Sequence, residues 1–139
     1  MGYKLGKRSR KNMVGMYPPL AYCVEIAIQR TKQDFCILNS GGVRTLKQQK
    51  DLYAKGRTKK GKKVTWTMNS LHLKGTAVDL VAYVDGKPTW DDKYYTEIIN
   101  VMKEVSDEFN LGVDSGYDLW GKDKAHYQCT NTDYDIRDY

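Results

Sequence analysis

Residues 70–86 read SLHLKGTAVDLVAYVDG, and this stretch decides the fold. Its second half, residues 78–84, is rich in valine and other residues that favour β-strands. Asp85-Gly86 is a signal for a tight turn between two strands. The stretch therefore predicts a strand that ends in a hairpin turn. Asp79 lies at the start of this strand, and His72 lies before it, on the other side of Gly75.

Two helices are predicted on the N-terminal side of this stretch. Pro18-Pro19 would begin the first helix, because proline is tolerated in a first turn. The apolar residues that follow have the spacing of one helix face, at Leu20, Cys23, Val24, Ala27 and Ile28. Thr45 and Gln48 have the spacing of a capping box, which places the start of the second helix at Thr45.

A long third helix is predicted after the hairpin, with an apolar face formed by Tyr95, Ile98, Met102, Val105 and Phe109. Asp91 or Asp92 would cap its start, and Gly112 lies just past its end. The apolar run 35–38 predicts a short strand, and the segment 111–128 predicts one or two more. This pattern indicates an α+β fold in which helices pack on a small, mostly antiparallel sheet.

Length and composition favour one globular domain covering residues 1–139. The chain is 40% hydrophobic and 29% charged, which is close to the globular average. No apolar run approaches the ~20 residues of a membrane span, so we expect no membrane insertion. The basic N-terminal stretch is followed by no apolar segment, so we expect no secretory signal peptide. Three cysteines without a CxxC motif predict free thiols rather than a disulfide framework.

The net charge of +6 is concentrated in two basic runs, one within residues 4–11 and one within residues 55–63. Such runs attract polyanions such as nucleic acid, anionic lipid or an anionic cell-wall polymer. Solvated, flexible surface segments would have the same composition. No RNP-like or helix-turn-helix signature accompanies them, so we expect no nucleic-acid partner.

The two histidines, His72 and His126, suggest a metal site together with Asp79. Two imidazoles and one carboxylate, with a fourth position open, suit catalytic zinc. The same donor set suits non-haem iron, so the residues alone leave the metal open. His126 would lie on a strand next to Asp79, and Asp123 would be free to act as a base. Taken singly, each of these residues also has an ordinary structural explanation.

Three segments resemble the VanY-like zinc peptidoglycan peptidases. They are Gly42-Val43-Arg44-Thr45 with Gln48, Gln49 and Leu52-Tyr53; Ser70-x-His72-x-x-Gly75-x-Ala77-x-Asp79; and Asp123-x-x-His126-x-Gln128. That family includes the D,D-carboxypeptidases and dipeptidases and the phage L-alanyl-D-glutamate endopeptidases. The small phage endolysins look most similar, because residues 3–9 and 83–90 also match them.

The resemblance implies a D-Ala-D-Ala carboxypeptidase-like (LAS-type) fold and a role for each matched residue. His72, Asp79 and His126 would bind Zn²⁺, and Asp123 would be the general base. Arg44 would contact the scissile carbonyl or a substrate carboxylate. Ser70 and Gln49 join Arg44 as expected substrate-binding residues.

The expected function is zinc-dependent hydrolysis of the L-alanyl-D-glutamate bond in the peptidoglycan stem peptide, leading to cell lysis. The resemblance implies accumulation in the host bacterial cytoplasm and release to the periplasm and cell wall at lysis. The basic runs would then hold the enzyme, expected to be a monomer, on the anionic wall. Two alternatives stay open: a D-alanyl-D-alanine carboxypeptidase or dipeptidase on the same scaffold, and a non-catalytic basic module that binds cell wall or nucleic acid.

Overall fold

The computed structural model describes residues 2–55, 57 and 71–129. This part of the chain contains both helices and strands, and most of the strands lie in its second half. The helices are α1 (Lys7–Lys11), α2 (Pro18–Arg30), α3 (Leu46–Ala54), α4 (Leu71–Lys74), α5 (Tyr95–Phe109) and α6 (Gly116–Trp120). The strands are β1 (Phe35–Cys36), β2 (Ala77–Asp79), β3 (Val81–Val84), β4 (Lys87–Thr89), β5 (Val113–Ser115) and β6 (His126–Cys129). The expected α+β class is confirmed.

The strands form two antiparallel sheets of three strands each, in the orders β1-β3-β4 and β2-β6-β5. The single strand predicted for residues 78–84 is therefore wrong, because the chain passes from one sheet to the other at Leu80. The Leu80 amide donates to the carbonyl of Ala125 at 2.9 Å, and its side chain is fully buried. Strand propensity is a local property, whereas the choice of partner strand depends on tertiary packing.

The predicted hairpin turn is confirmed between β3 and β4. Asp85 and Gly86 have φ values of 51° and 77°, and Val84 pairs with Lys87. Two successive positive φ values match the twist of the flanking strands. This turn is therefore specified by two residues alone.

Helices α2 and α5 pack on each other and supply much of the hydrophobic core. The buried face of α2 is the predicted one, from Leu20 to Ile28. A short 3₁₀ turn, capped by Asp91, precedes α5. The left-handed residue that ends α5 is Asn110, with φ 54°, rather than the expected Gly112. Asparagine tolerates this conformation better than most residues, which makes it a second solution for a helix end.

The C-terminal segment carries the two predicted strands, β5 and β6, and also α6, which the sequence did not predict. Ser115 caps α6 by accepting a hydrogen bond from the amide of Asp118 at 3.0 Å. The cysteines are free thiols, as expected. No helix in the described part of the chain has the length and apolarity needed to cross a bilayer.

Candidate metal centre

Three side chains from three elements converge at one end of the β2-β6-β5 sheet. Asp79 and His126 are direct cross-strand partners, at the end of β2 and the start of β6. His72 comes from α4, which leads into β2 through the tight turn at Gly75, where φ is 80°. One ligand atom from each residue lies within 4.8 Å of the others. The predicted grouping of His72, Asp79 and His126 is thus present in space.

The spacing of these atoms suits tetrahedral coordination. Asp79 Oδ1 lies 3.4 Å from His72 Nε2 and 3.2 Å from His126 Nδ1. Tetrahedral zinc, with bonds of about 2.0–2.1 Å to nitrogen and oxygen, places its ligand atoms about 3.3 Å apart. These two separations therefore fit a metal with three protein ligands and an open fourth position.

Each histidine is oriented by a hydrogen bond from its other ring nitrogen. His72 Nδ1 lies 3.2 Å from the carbonyl oxygen of Gly42, and His126 Nε2 lies 2.8 Å from Oε1 of Gln128. Both oxygens are acceptors, so both of these ring nitrogens carry the proton. The other ring nitrogens, His72 Nε2 and His126 Nδ1, both face Asp79 Oδ1, as the metal-side nitrogens of ligating histidines face a shared ion.

The electrostatics of the cluster favour an ionised carboxylate. Burial opposes the charge of Asp79, but hydrogen bonds from His126 and His72 outweigh it and hold the pKa of this carboxyl well below its usual range. Burial also opposes the charged form of His126, yet the hydrogen bond to Asp79 raises its pKa. A metal would replace the proton that these groups share, so metal binding here releases protons.

The loop before α3 places Arg44 beside the cluster. The Arg44 amide donates to the carbonyl of His72 at 3.0 Å, while Gly42 of the same loop accepts from the His72 ring. A side chain at Gly42 would collide with the Asn12 carbonyl, so glycine is needed for this close approach. The loop and α4 thus hold each other in place through both the backbone and the ring of His72.

The half-buried guanidinium of Arg44 is fixed by two acceptors. Nε donates to the Ser40 carbonyl at 2.6 Å and Nη1 donates to Gln49 Oε1 at 3.1 Å. Gln49 is fully buried, so its contact is with Arg44 rather than with a molecule in the cleft. Ser70, the other expected substrate-binding residue, lies outside the described residues.

Asp123 lies at the surface of the cleft, three residues before His126, and its backbone carbonyl accepts from the His126 amide at 3.3 Å. Its φ of 64° is left-handed, and Gly116 allows the Asp123 carbonyl to come close. Desolvation by the surrounding atoms and the negative charge of Asp79 raise the pKa of Asp123. A carboxyl whose pKa is raised toward neutrality is suited to exchange protons.

Comparison with known proteins shows the family to which this chain belongs. A sequence model of the family described as phage L-alanyl-D-glutamate peptidase matches residues 1–136. The chain belongs to this family.

The family assignment is supported by individual relatives. The L-alanyl-D-glutamate peptidase of Escherichia phage T5 is 26% identical over 136 residues, covering 97% of this chain and 95% of that protein. The peptidoglycan L-alanyl-D-glutamate endopeptidase CwlK of Bacillus subtilis is 34% identical over 80 residues, covering 49% of this chain and 48% of that protein. The crystal structure of the L-Ala D-Glu endopeptidase ChiX of Serratia marcescens has a TM-score of 0.75 at 28% identity, covering 91% of this chain and 90% of that one. The expected family and LAS-type fold are confirmed.

Within this family fold, the sequence did not assign roles to Gln128 and Trp120. Gln128 lies two residues after His126 on β6, which puts both side chains on one face of the strand. The Trp120 ring lies 5.4 Å from the His126 ring, tilted by 32°, and is half exposed. Strand periodicity could have indicated Gln128, whereas Trp120 depends on the unpredicted α6.

Proposed function

We propose that this protein is a zinc-dependent endopeptidase that hydrolyses the L-alanyl-D-glutamate bond of the peptidoglycan stem peptide. The observation that carries the proposal is the cluster of His72, Asp79 and His126, with Asp123 and Arg44 beside it, in a chain of the phage L-alanyl-D-glutamate peptidase family. The relatives' names give the bond, and the donor set supports the metal.

His72, Asp79 and His126 would hold the zinc ion. Two neutral imidazoles and one ionised carboxylate, each oriented by further hydrogen bonds, make a donor set that suits zinc with one open position. Zinc bound there would supply Lewis acidity and a water of lowered pKa at neutral pH. The feature of this chain that supports the assignment is the orientation of the two rings, in which His72 Nε2 and His126 Nδ1 face Asp79 while the opposite nitrogens donate to Gly42 and Gln128.

Asp123 would be the general base and then the general acid. Its carboxylate takes a proton from the attacking water and later gives it to the nitrogen of the leaving D-glutamate. The second transfer is essential, because an unprotonated amide nitrogen is too poor a leaving group. The raised pKa of Asp123 supports the first transfer, since a more basic carboxylate accepts the proton more readily.

Arg44 would donate hydrogen bonds to the scissile carbonyl oxygen as negative charge develops on it. A well-placed donor of this kind contributes roughly 3–4 kcal/mol to transition-state stabilisation. Gln49 would act through Arg44, holding the guanidinium in position, in place of the expected direct contact with substrate. For Ser70 we keep the proposal of a hydrogen bond to the substrate.

The setting proposed for this activity is a single-domain monomer acting on bacterial peptidoglycan. The similarity to a protein of Escherichia phage T5 along nearly the whole chain supports synthesis in the host cytoplasm and release to the wall at lysis. The positive net charge of +6 supports retention on an anionic wall.

The direct test is digestion of purified Gram-negative peptidoglycan, with and without a zinc chelator, followed by mass spectrometry of the new chain ends. We expect new amino-terminal glutamate that disappears on chelation and returns when zinc is restored. Release of D-alanine would instead assign the protein to the carboxypeptidase branch. Absence of cleavage by zinc-loaded, folded protein would contradict the proposed substrate.

A further inference from the structure

A cavity of about 440 Å³ beside Asp123 is lined by charged residues that the proposed mechanism does not use. Its volume is within the range of about 300–1,000 Å³ typical of ligand pockets. Besides Asp123, the wall includes Asp92, Lys122 and Lys124, with the exposed indole of Trp90 at one side. We call this space the Asp123 cavity.

The Asp123 cavity lies on the leaving-group side of the cleft, an assignment that rests on the proposed function. Asp123 must reach the leaving nitrogen, so the residues that follow the scissile bond occupy the space around it. A smaller cavity of about 180 Å³ is lined by Arg44 and Asp79. Trp90 lines both cavities, so the two lie next to each other.

The lysines of the Asp123 cavity differ in their partners. Lys124 Nζ lies 3.4 Å from Asp92 Oδ2 and 5.3 Å from the centre of the Tyr117 ring. Lys122 makes no hydrogen bond or ion pair with any residue in the described ranges. The charge of Lys122 acts to lower the pKa of Asp123, but burial and the charge of Asp79 raise this pKa by more. The cavity therefore offers one cation that no carboxylate of the described chain neutralises by direct contact.

The leaving residue of the proposed substrate carries one group that matches this cation. D-Glutamate in the stem peptide continues through its side-chain carboxyl, so its α-carboxyl is free, only two bonds from the leaving nitrogen. A negative charge at that place would be repelled by Asp123 and Asp79 unless a cation offset it. We propose that Lys122 binds this α-carboxylate and makes the enzyme selective for stem peptides in which it is not amidated.

The test compares two synthetic stem peptides that differ only at this carboxyl. Both have the sequence N-acetyl-L-alanyl-D-glutamyl-L-lysine linked through the glutamate side chain, one with the free α-carboxyl and one with the carboxamide. For the zinc-loaded wild type we expect a kcat/KM about fivefold higher for the acid, which is the upper end for an ion pair formed by an exposed lysine. Lys122→Gln should remove the preference by raising KM for the acid alone.

The ratio of the kcat/KM values for the two peptides measures the effect of the α-carboxylate alone. Loss of the Lys122 charge also acts on Asp123, but that effect changes the rates for both peptides and cancels in the ratio. Lys124→Gln is the matched control and should keep the preference, because Lys124 is already paired with Asp92. Lys122→Arg should keep most of the preference, since it retains the charge.

Three outcomes would overturn the inference. Equal cleavage of both peptides by the wild type would show that the carboxylate is not recognised. A preference that survives in Lys122→Gln and disappears in Arg44→Lys would assign the carboxylate to Arg44. If zinc-loaded wild type cleaved neither peptide, the proposed function itself would fail and the inference with it. Cleavage of both peptides at equal rates would overturn the inference alone.

Discussion

At the scale of single residues, the proposed site separates the metal ligands from the group that would move protons. Asp79 is in direct contact with both histidines, whereas the part of Asp123 that contacts His126 is its backbone carbonyl. The two carboxylates also differ in pKa, which is lowered in Asp79 and raised in Asp123. This divergence supports the proposed roles, with Asp79 as a metal ligand and Asp123 as the group that transfers protons.

The replacement Asp123→Asn tests this separation. We expect kcat to fall by about 10²–10⁴-fold, the usual contribution of a general acid–base group, with bound zinc unchanged by elemental analysis. Asp92→Asn removes a carboxylate from the same cavity and should retain turnover within a few fold. A folded Asp123→Asn protein that has lost its zinc would show that Asp123 is a ligand instead.

The residue scale is also where the sequence was most informative. Residue types and spacing suggested His72, Asp79 and His126, but only the family resemblance favoured zinc over iron and suggested a role for Arg44. Gln128 was part of the matched motif without a function, because its contact with His126 depends on the geometry of β6. The candidate ligands could thus be predicted from the type of donor atom that each side chain offers. The hydrogen bonds that orient these side chains could not be predicted.

At the scale of elements, signals from adjacent residues predicted the helix starts and the turn, whereas the pairing of the strands could not be predicted from them. The proline start of α2, the capping box of α3 and the Asp85-Gly86 turn are each specified by adjacent residues, and each is present. The change of sheet at Leu80 depends on residues far away in the sequence, such as Ala125. Propensity within the run 78–84 contains no information about those partners.

The capping box of α3 links local structure to the site. Thr45 Oγ1 accepts from the Gln48 amide at 3.1 Å, and the Thr45 amide donates to Gln48 Oε1 at 2.8 Å. Thr45→Ala should lower the free energy of unfolding by about 1 kcal/mol, measured by urea denaturation, because it leaves a helix amide without its acceptor. Thr45→Ser keeps the hydroxyl and should stay within a few tenths of a kcal/mol. Equal stability of Thr45→Ala and wild type would mean that solvent replaces the cap fully.

At the scale of the whole molecule, the candidate metal site joins a short helix to the ends of two paired strands. Its three ligands come from α4, the end of β2 and the start of β6, and α4 is also hydrogen-bonded to the loop that carries Arg44. An ion shared by these elements would bind the folded chain and not the unfolded one. Its binding energy then adds to the stability of the whole domain.

Removal of the metal should therefore lower the melting temperature as well as the activity. At a free zinc concentration 100-fold above the dissociation constant, binding stabilises the folded state by about 2.7 kcal/mol. For a chain of 139 residues, this corresponds to a fall in Tm of about 10 °C on chelation, measured by scanning calorimetry and reversed by added zinc. His126→Ala is the control, and its Tm should not respond to the chelator, since one of three ligands is gone. A wild-type Tm that stays constant after complete removal of zinc would show that the three elements are held together without the ion, and the metal would then have a catalytic role alone.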